Sequence, residues 1–272
     1  MSHERERIHG IVRDSYARIA EETPVATDTP SGCSPAADCC GGGGTQKTVG
    51  EVAGLLGYTE EELRDLPGGA NLGLGCGNPH ALAALSAGEV VLDLGSGGGV
   101  DCFIAAKRVG NQGRVIGVDM TPAMLARSRD LARESGYDNV EFRLGEIEHL
   151  PIADGTVHVI LSNCVVNLSP DKEQVLREAF RVLVPGGRLA ISDVIATCDL
   201  PAEIREDDAL LSGCIAGAET QERLEQWLGQ VGFTSIEIRP WDESREFIRE
   251  WAPGRAVEDF VVSAMIAAQK PV

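Results

Sequence analysis

Residues 89–99 read EVVLDLGSGGG, an apolar run that ends directly in a glycine-rich loop. An amphipathic helix is predicted next, from about Asp101 to Val109. Glycines let the backbone turn sharply and lie against a ligand, and the N-terminus of the following helix points at the same place. The stretch therefore predicts a ligand-binding loop at the end of a strand. By itself, such a loop is compatible with dinucleotide, phosphate or S-adenosylmethionine (SAM) binding.

Outward from this loop, strands alternate with helices. Near-continuous apolar strands separated by helices indicate a parallel sheet covered on both faces. The predicted strands are RVIGVD, VEFRLGE, VHVILSN and GRLAISDVI, with helices over Pro122–Ser135 and Lys172–Leu183 and a Pro-Gly-Gly turn before the last strand. TSIEIRPW and DFVVSAMIAAQK are predicted to close the sheet as a strand pair.

The chain as a whole is expected to have an α/β, Rossmann-like fold, mostly parallel with a closing antiparallel strand pair. Upstream, a helix is predicted over residues 1–20, and Thr59 with Glu62 forms a capping box for a short helix that runs to Leu66. Three segments are expected. They are an N-terminal cysteine- and glycine-rich segment (1–85), a ligand-binding core (86–195) and a C-terminal segment with the closing strands (196–272).

Composition limits the partners. The 272 residues carry a formal net charge of -18, which argues against a nucleic-acid ligand because phosphates would be repelled. No apolar run approaches the roughly 20 residues that span a bilayer, and the N-terminus lacks a signal-peptide pattern. We therefore expect a cytoplasmic protein with no membrane partner.

Eight cysteines are many for such a chain. Buried thiols that act as small hydrophobes account for several of them, and Cys102, on the first helix after the loop, is expected in the core. Cys33 and Cys198 are interpreted as incidental. A disulfide scaffold is a poor explanation, since a chain of this length builds its own core. The remaining thiols are therefore candidates for a catalytic or metal-binding role.

Two details of the glycine loop discriminate between its ligands. Read from Gly95 as G-x-G-x-x-G, the sixth position is Val100, so the dinucleotide pattern fails. Asp93 would repel a pyrophosphate but suits the amino group of a methionine moiety. The run D-x-G-x-G-x-G resembles the first motif of class I SAM-dependent methyltransferases. Asp119 ends the second strand, where a carboxylate can accept both ribose hydroxyls, although it could instead cap the next helix.

The resemblance continues through GEIEHLPIADGTVHVI, which matches the segment around adenine in that superfamily, and through RVLVPGGRL. It implies SAM as cosubstrate. The implied cofactor-binding residues are Asp93, Gly95, Ser96, Gly97, Gly99, Asp119, Met120, Gly145, Ile147, Glu148 and Asn163.

Three stretches around cysteines are similar to those of arsenite methyltransferases. They are NLGLGCGNP with Cys76, SNCVVNL with Cys164 and SGCIAGA with Cys214. The similarity extends over nearly the whole chain, and the protein is identified as a microbial member of that family. A fourth functional cysteine of the family lies in a Cys-Cys-Gly stretch. The motif alignment favours Cys40 over Cys39, and the two stay open as alternatives.

The resemblance implies methyl transfer from SAM to trivalent arsenic on Cys76, Cys164 and Cys214. Cys164 follows a strand at the carboxyl end of the sheet, where ligands bind in such folds, and soft arsenic prefers sulfur. Cys40 and Cys76 are expected to form a disulfide that returns arsenic to the trivalent state, with thioredoxin or glutathione as external reductant. A monomer is expected. The alternatives are a small-molecule C- or O-methyltransferase of the quinone-precursor type and a non-catalytic thiol binder of metalloids.

Overall fold

The computed structural model describes residues 2–23 and 48–272, and a seven-stranded sheet forms its centre. The strand order is β3-β2-β1-β4-β5-β7-β6. The first five strands of the chain are parallel, β7 is antiparallel to β5, and β6 is antiparallel to β7. The strands are β1 (Val90–Leu94), β2 (Arg114–Asp119), β3 (Val140–Leu144), β4 (Val157–Asn163), β5 (Leu183–Ala196), β6 (Thr234–Trp241) and β7 (Val261–Gln269).

The helices precede the sheet or connect its strands. The α-helices are α1 (Ser2–Glu22), α2 (Val49–Leu55), α3 (Glu60–Leu63), α4 (His80–Ala83), α5 (Val100–Val109), α6 (Pro122–Glu134), α7 (Lys172–Val182), α8 (Ala202–Arg205), α9 (Asp208–Ser212), α10 (Gln221–Val231) and α11 (Arg245–Trp251). Short 3-10 helices lie at Val166–Leu168, Asp242–Ser244 and Val257–Asp259.

Both faces of the sheet are buried, because successive residues of a strand point to opposite faces. Leu92 and Leu94 of β1 pack in one cluster with apolar side chains of α7 and α10. Val91, the residue before Leu92, packs in a second cluster with side chains of α5 and α6, including Phe103. A fully buried side chain of this size stabilises the fold by about 1.5–3 kcal/mol. The predicted doubly covered parallel sheet is confirmed.

The order of the strands reverses between β1 and β4. From β1 the chain builds β2 and β3 on one side and then places β4 and β5 on the other. A crevice opens at the carboxyl ends of the strands at such a reversal. Gly95 directly follows β1 there, and Cys164 directly follows β4.

Several expectations about local structure are confirmed. The closing strand pair forms, and the Thr59 capping box is present with both of its hydrogen bonds. The helix it starts ends at Leu63, earlier than Leu66, because Arg64 takes an extended conformation. The capping box at Thr48 and Glu51, which begins α2, was not predicted.

The Pro-Gly-Gly segment differs from the expected turn. It lies inside β5, where the pairing with β4 shifts register. Leu183 pairs with Val157 and the next pair is Arg188 with Val159, so the intervening residues bulge from the ladder. Proline and glycine fit this bulge, because one lacks a backbone donor and Gly186 has a φ of 80°.

Within residues 2–23 and 48–272, no helix is long and apolar enough to cross a membrane. Cys33, Cys39 and Cys40 lie outside the described residues.

Candidate active site

An open cleft of about 970 Å³ lies at the carboxyl ends of β1 and β4. Its walls come from the glycine loop after β1, the end of β2, the loop after β3, the segment after β4 and one side of α1. The predicted cofactor-binding residues that line it are Asp93, Gly95, Ser96, Gly97, Asp119, Met120, Gly145, Ile147, Glu148 and Asn163.

Gly99 was predicted with this set but does not line the cleft. It is the residue before α5, with a φ of 92°. A Cβ at this position would lie 2.8 Å from the ring of Phe142 and 2.9 Å from that of Phe103. The structure thus gives Gly99 a packing role, because only glycine lets the helix start so close to these rings.

Asp119 joins the glycine loop to the end of β2. Its Oδ2 accepts a hydrogen bond from the Gly97 N–H at 2.9 Å, and its Oδ1 accepts one from the Thr121 N–H at 2.7 Å. Burial raises the pKa of Asp119, against the opposing effect of these backbone donors. The carboxyl group thus holds the residue before α6 and also lines the cleft. Its role toward ribose stays a prediction.

Two buried carboxyl groups, Asp93 and Asp101, line the same part of the cleft. Burial and the neighbouring Asp101 raise the pKa of Asp93, whose Oδ2 accepts a hydrogen bond from the Cys102 thiol at 3.2 Å. A cationic ligand would relieve this accumulation of acidic groups. Asp101 was not predicted, although its position directly after the glycine loop was the available signal.

Helix α1 covers one side of the cleft with His9, Val12 and Tyr16. His9 Nε2 lies 3.2 Å from Oε1 of Glu148, and the Ser169 hydroxyl donates to the same oxygen. These α1 residues could not be predicted from local sequence, because their partners are more than a hundred positions away in the chain.

Cys76, Cys164 and Cys214 all belong to one buried cluster, packed with Val12 and Leu168. The sulfur atoms of Cys76 and Cys164 and a carboxylate oxygen of Asp193 lie within 4.8 Å of one another. Cys214 is not part of that close group, and its thiol donates to the backbone oxygen of Cys164 at 2.6 Å. Of the three, only Cys164 lines the cleft.

Asn163 fixes the loop that carries Cys76. Its Oδ1 accepts a hydrogen bond from the Cys76 N–H at 3.0 Å. Gly75 makes this approach possible, because it has a φ of 120° and a Cβ there would lie 2.9 Å from the Asn163 amide. The Cys76 sulfur lies 3.7 Å from the Ser192 hydroxyl.

Burial raises the pKa of two of these thiols, Cys164 and Cys214. It raises the pKa of Cys164 well above the usual 9.0, and the neighbouring Cys214 and Cys76 raise it further. The hydrogen bond with Cys164 lowers the pKa of Cys214, but burial and the charges of Asp193 and Cys76 together raise it. At neutral pH, both cysteines are therefore thiols. Burial also raises the pKa of Asp193 to about 7.

The remaining described cysteines and histidines lie elsewhere. Cys102 is buried on α5, as expected for a core residue, and Cys198 is exposed. His158 accepts a hydrogen bond from the Val90 N–H through Nδ1 at 3.1 Å, which is a structural role. His80 is buried and does not line the cleft, but its Nε2 lies 3.2 Å from Oδ1 of Asp101.

Comparisons with known proteins agree with this geometry. A family model described as a methyltransferase domain matches residues 85–232. The chain is 48% identical over 267 residues to an arsenite methyltransferase of Halobacterium salinarum, covering 98% of this chain and 67% of that protein. It is 41% identical over 152 residues to human arsenite methyltransferase, covering 53% of this chain and 40% of the human protein.

A crystal structure of an arsenic(III) S-adenosylmethionine methyltransferase from Chlamydomonas reinhardtii superposes with a TM-score of 0.61. It shares 34% identity, over 84% of this chain and 75% of that one. The matched fold explains why the glycine loop and the end of β2 line one cleft, and SAM is the cosubstrate of the methyltransferase family that the chain matches. The chain belongs to the arsenite methyltransferase family and is a SAM-dependent transferase.

Proposed function

We propose that this protein transfers the methyl group of SAM to trivalent arsenic bound by Cys76, Cys164 and Cys214. The position of Cys164 carries this proposal. It is the one thiol of the three that belongs both to the cleft and to the buried thiol cluster. An arsenic atom on its sulfur would lie at the boundary between the donor cleft and the acceptor site.

The cleft fits the donor. Asp119 offers a carboxylate to ribose hydroxyls, and Asp93 and Asp101 offer acidic groups to the ammonium group of the amino acid moiety. SAM supplies a methyl group on a positively charged sulfonium, which is already activated for transfer. The chain therefore has to bind, orient and exclude water rather than activate the donor.

Arsenite binding suits protonated thiols. When As(OH)₃ exchanges onto three thiols, each As–O bond is replaced by an As–S bond. Each thiol proton leaves with a hydroxide as water. No net charge is created in the buried site, so the raised pKa of Cys164 and Cys214 does not oppose the exchange. Cys214 has to release its hydrogen bond to the Cys164 carbonyl to contribute its sulfur.

In the transfer step, the arsenic lone pair forms an As–C bond while the S–CH₃ bond breaks, and neutral S-adenosylhomocysteine leaves. Buried Val12 and Leu168, packed against the thiols, exclude water from this site. Arsenic is formally oxidised to the pentavalent state. We propose that the Cys40 sulfur then attacks the arsenic-bound sulfur of Cys76. The S–S bond forms as the As–S bond of Cys76 breaks, its electron pair returns to arsenic, which becomes trivalent again, and the Cys40 thiol proton is released.

The disulfide has to be reduced before another cycle, and we propose a thioredoxin-like protein or glutathione as the source of electrons. The requirement for reduced thiols favours the cytoplasm. In this scheme, segment 86–195 holds the donor and one thiol, and segments 1–85 and 196–272 each supply further thiols. A monomer remains our prediction.

Product analysis tests the proposal. Purified protein is incubated with arsenite, SAM and a thiol reductant, and methylated arsenicals are measured together with S-adenosylhomocysteine. We expect both products in step from the wild type, none from Cys164→Ser, and normal amounts from Cys198→Ser, in which an exposed cysteine is changed. SAM binding with activity on quinone precursors that survives Cys164→Ser would support the small-molecule alternative. Arsenite binding without turnover would support the binding protein.

A further inference from the structure

Side chains from separate parts of the chain form a continuous line of hydrogen bonds between the donor cleft and the Cys76 loop. The Tyr58 hydroxyl donates to Oδ1 of Asp101 at 2.7 Å. The Asn163 side-chain amide donates to the Tyr58 oxygen at 2.9 Å, and Oδ1 of Asn163 accepts from the Cys76 N–H at 3.0 Å. A buried carboxylate of the cleft is thus connected to the backbone of a predicted arsenic ligand.

The donors and acceptors in this line have only one consistent arrangement. Asn163 uses its two amide hydrogens on the Tyr58 oxygen and on the Gly77 carbonyl, the latter at 2.8 Å. Its oxygen must then face the Cys76 N–H. Tyr58 has a single hydroxyl hydrogen, which goes to Asp101. Each group is therefore fixed by the next.

Tyr58 and Asp101 in this line are largely shielded from solvent. Tyr58 is 7% exposed and Asp101 is 5% exposed. Burial raises the pKa of Tyr58 well above its usual 10.0, so the hydroxyl remains a donor. Hydrogen bonds in a buried chain strengthen one another.

Asp101 and Asn163 both line the cleft, whereas Tyr58 and Cys76 do not. A cation bound near Asp93 and Asp101 holds the Asp101 carboxylate in place. That carboxylate orients Tyr58, and Tyr58 orients the Asn163 amide that fixes the Cys76 N–H. The path thus begins at the donor site and ends at the acceptor site without passing through either ligand.

We propose that Tyr58 is a positioning residue that couples binding of the SAM amino acid moiety to binding of arsenic at Cys76. This inference rests on the proposed function. Linkage between two binding sites is reciprocal. Arsenic bound at the thiols therefore raises the affinity of the cleft for its ligand by the same factor by which that ligand raises the affinity of the thiols for arsenic.

Calorimetry of S-adenosylhomocysteine binding tests the coupling, since this product keeps the amino acid moiety and permits no turnover. The protein is kept reduced with a phosphine, which does not compete for arsenic as a thiol would. In the wild type, saturating arsenite should tighten binding at least about fivefold. In Tyr58→Phe, which keeps the ring and loses the hydroxyl, the factor should fall to within about twofold.

Tyr137→Phe is the matched control, because it makes the same change where the ring packs on Phe103, 4.7 Å between centroids, outside the cleft. It should keep the wild-type factor. The inference would be overturned if arsenite did not change the affinity of the wild type for S-adenosylhomocysteine, or if it tightened binding equally in Tyr58→Phe. Either result would leave the proposed function intact. Absence of arsenite binding to the wild type would overturn both.

Alkylation rates provide a measurement that does not depend on the variant folding. Iodoacetamide labelling followed by peptide mass spectrometry gives the rate at each cysteine of the wild type. S-adenosylhomocysteine should slow labelling of Cys76, with exposed Cys198 unchanged as the internal reference. An unchanged Cys76 rate would overturn the coupling, because the ligand would then leave the Cys76 loop as mobile as before.

Discussion

The thiol of Cys214 donates a hydrogen bond to the backbone carbonyl of Cys164 at 2.6 Å, although the two residues are 50 positions apart. Both take left-handed backbone conformations, with φ of 63° and 58°. A non-glycine residue in this region costs of order 1 kcal/mol or more, and such strain concentrates at functional sites. Because both predicted arsenic ligands have a strained backbone conformation, the rest of the fold must hold them in their orientation relative to each other.

Replacing Cys214 with serine separates these structural and chemical roles. Serine can still donate to the Cys164 carbonyl, so the fold should be kept, but a hydroxyl is a poor ligand for soft arsenic. We expect arsenite methylation to fall by on the order of 100-fold or more, because even residues behind the ligands of a site affect affinity by about 10–100-fold. Chromatography with arsenic detection measures the products. Activity equal to that of Cys198→Ser would contradict a ligand role for Cys214.

Cys76→Ser should distinguish between two substrates. Arsenite has three exchangeable oxygens and needs three thiols, whereas monomethylarsonous acid has only two, because its As–C bond does not exchange. We expect this variant to lose arsenite methylation and to retain methylation of the monomethyl compound in single-turnover assays. Equal loss on both substrates would show that Cys76 does more than complete the three-thiol set.

Asp119→Asn tests the donor site. An amide still accepts from the Thr121 N–H, but its NH₂ group opposes the Gly97 N–H and cannot accept from a ribose hydroxyl. Hydrogen bonds to a charged group contribute about 1.5–3 kcal/mol, so S-adenosylhomocysteine binding should weaken about 10- to 100-fold. Calorimetry measures this, with Asp130→Asn, on the exposed side of α6, as control. An unchanged affinity would exclude Asp119 from the ribose site.

Much of this architecture was predictable from local patterns. The apolar run before Gly95 and the alternation of strands and helices predict a mostly parallel sheet. Because Asp119 and Cys164 stand at the ends of strands, both could be placed at the same edge of that sheet. These inferences succeed because the period of a strand and the conformational freedom of glycine are local properties of the chain.

The residues that complete the site were not predictable in this way. Tyr16 and His9 reach the cleft from α1, and Asp193 lies beside the thiols although it belongs to an apolar strand. Their roles depend on contacts between distant segments. Gly99 is the opposite case. It matches the binding motif in the sequence, but in the structure it allows α5 to pack closely against two aromatic rings.

Within the described part of the chain, no basic side chain forms an ion pair with Asp193. Its Oδ1 accepts hydrogen bonds from the Val194 N–H at 2.8 Å and from the Asn167 amide at 2.9 Å. Burial nevertheless outweighs these bonds and raises the pKa of Asp193 from 3.8 to about 7. Between these two pH values, the folded protein therefore binds more protons than the unfolded chain.

Stability should thus fall as pH rises through this window and level off above about pH 7, by about 1.4 kcal/mol per pH unit. Asp193→Asn keeps the Oδ1 acceptor but cannot ionise, so it should lose this contribution. Urea unfolding at pH 5 and pH 7 should show about 2 kcal/mol less pH dependence than in the wild type. Asp242→Asn, at a highly exposed carboxyl, should behave like the wild type. Identical pH dependence in Asp193→Asn would mean that Asp193 is already ionised at pH 5, and that its neighbours stabilise the charge despite burial.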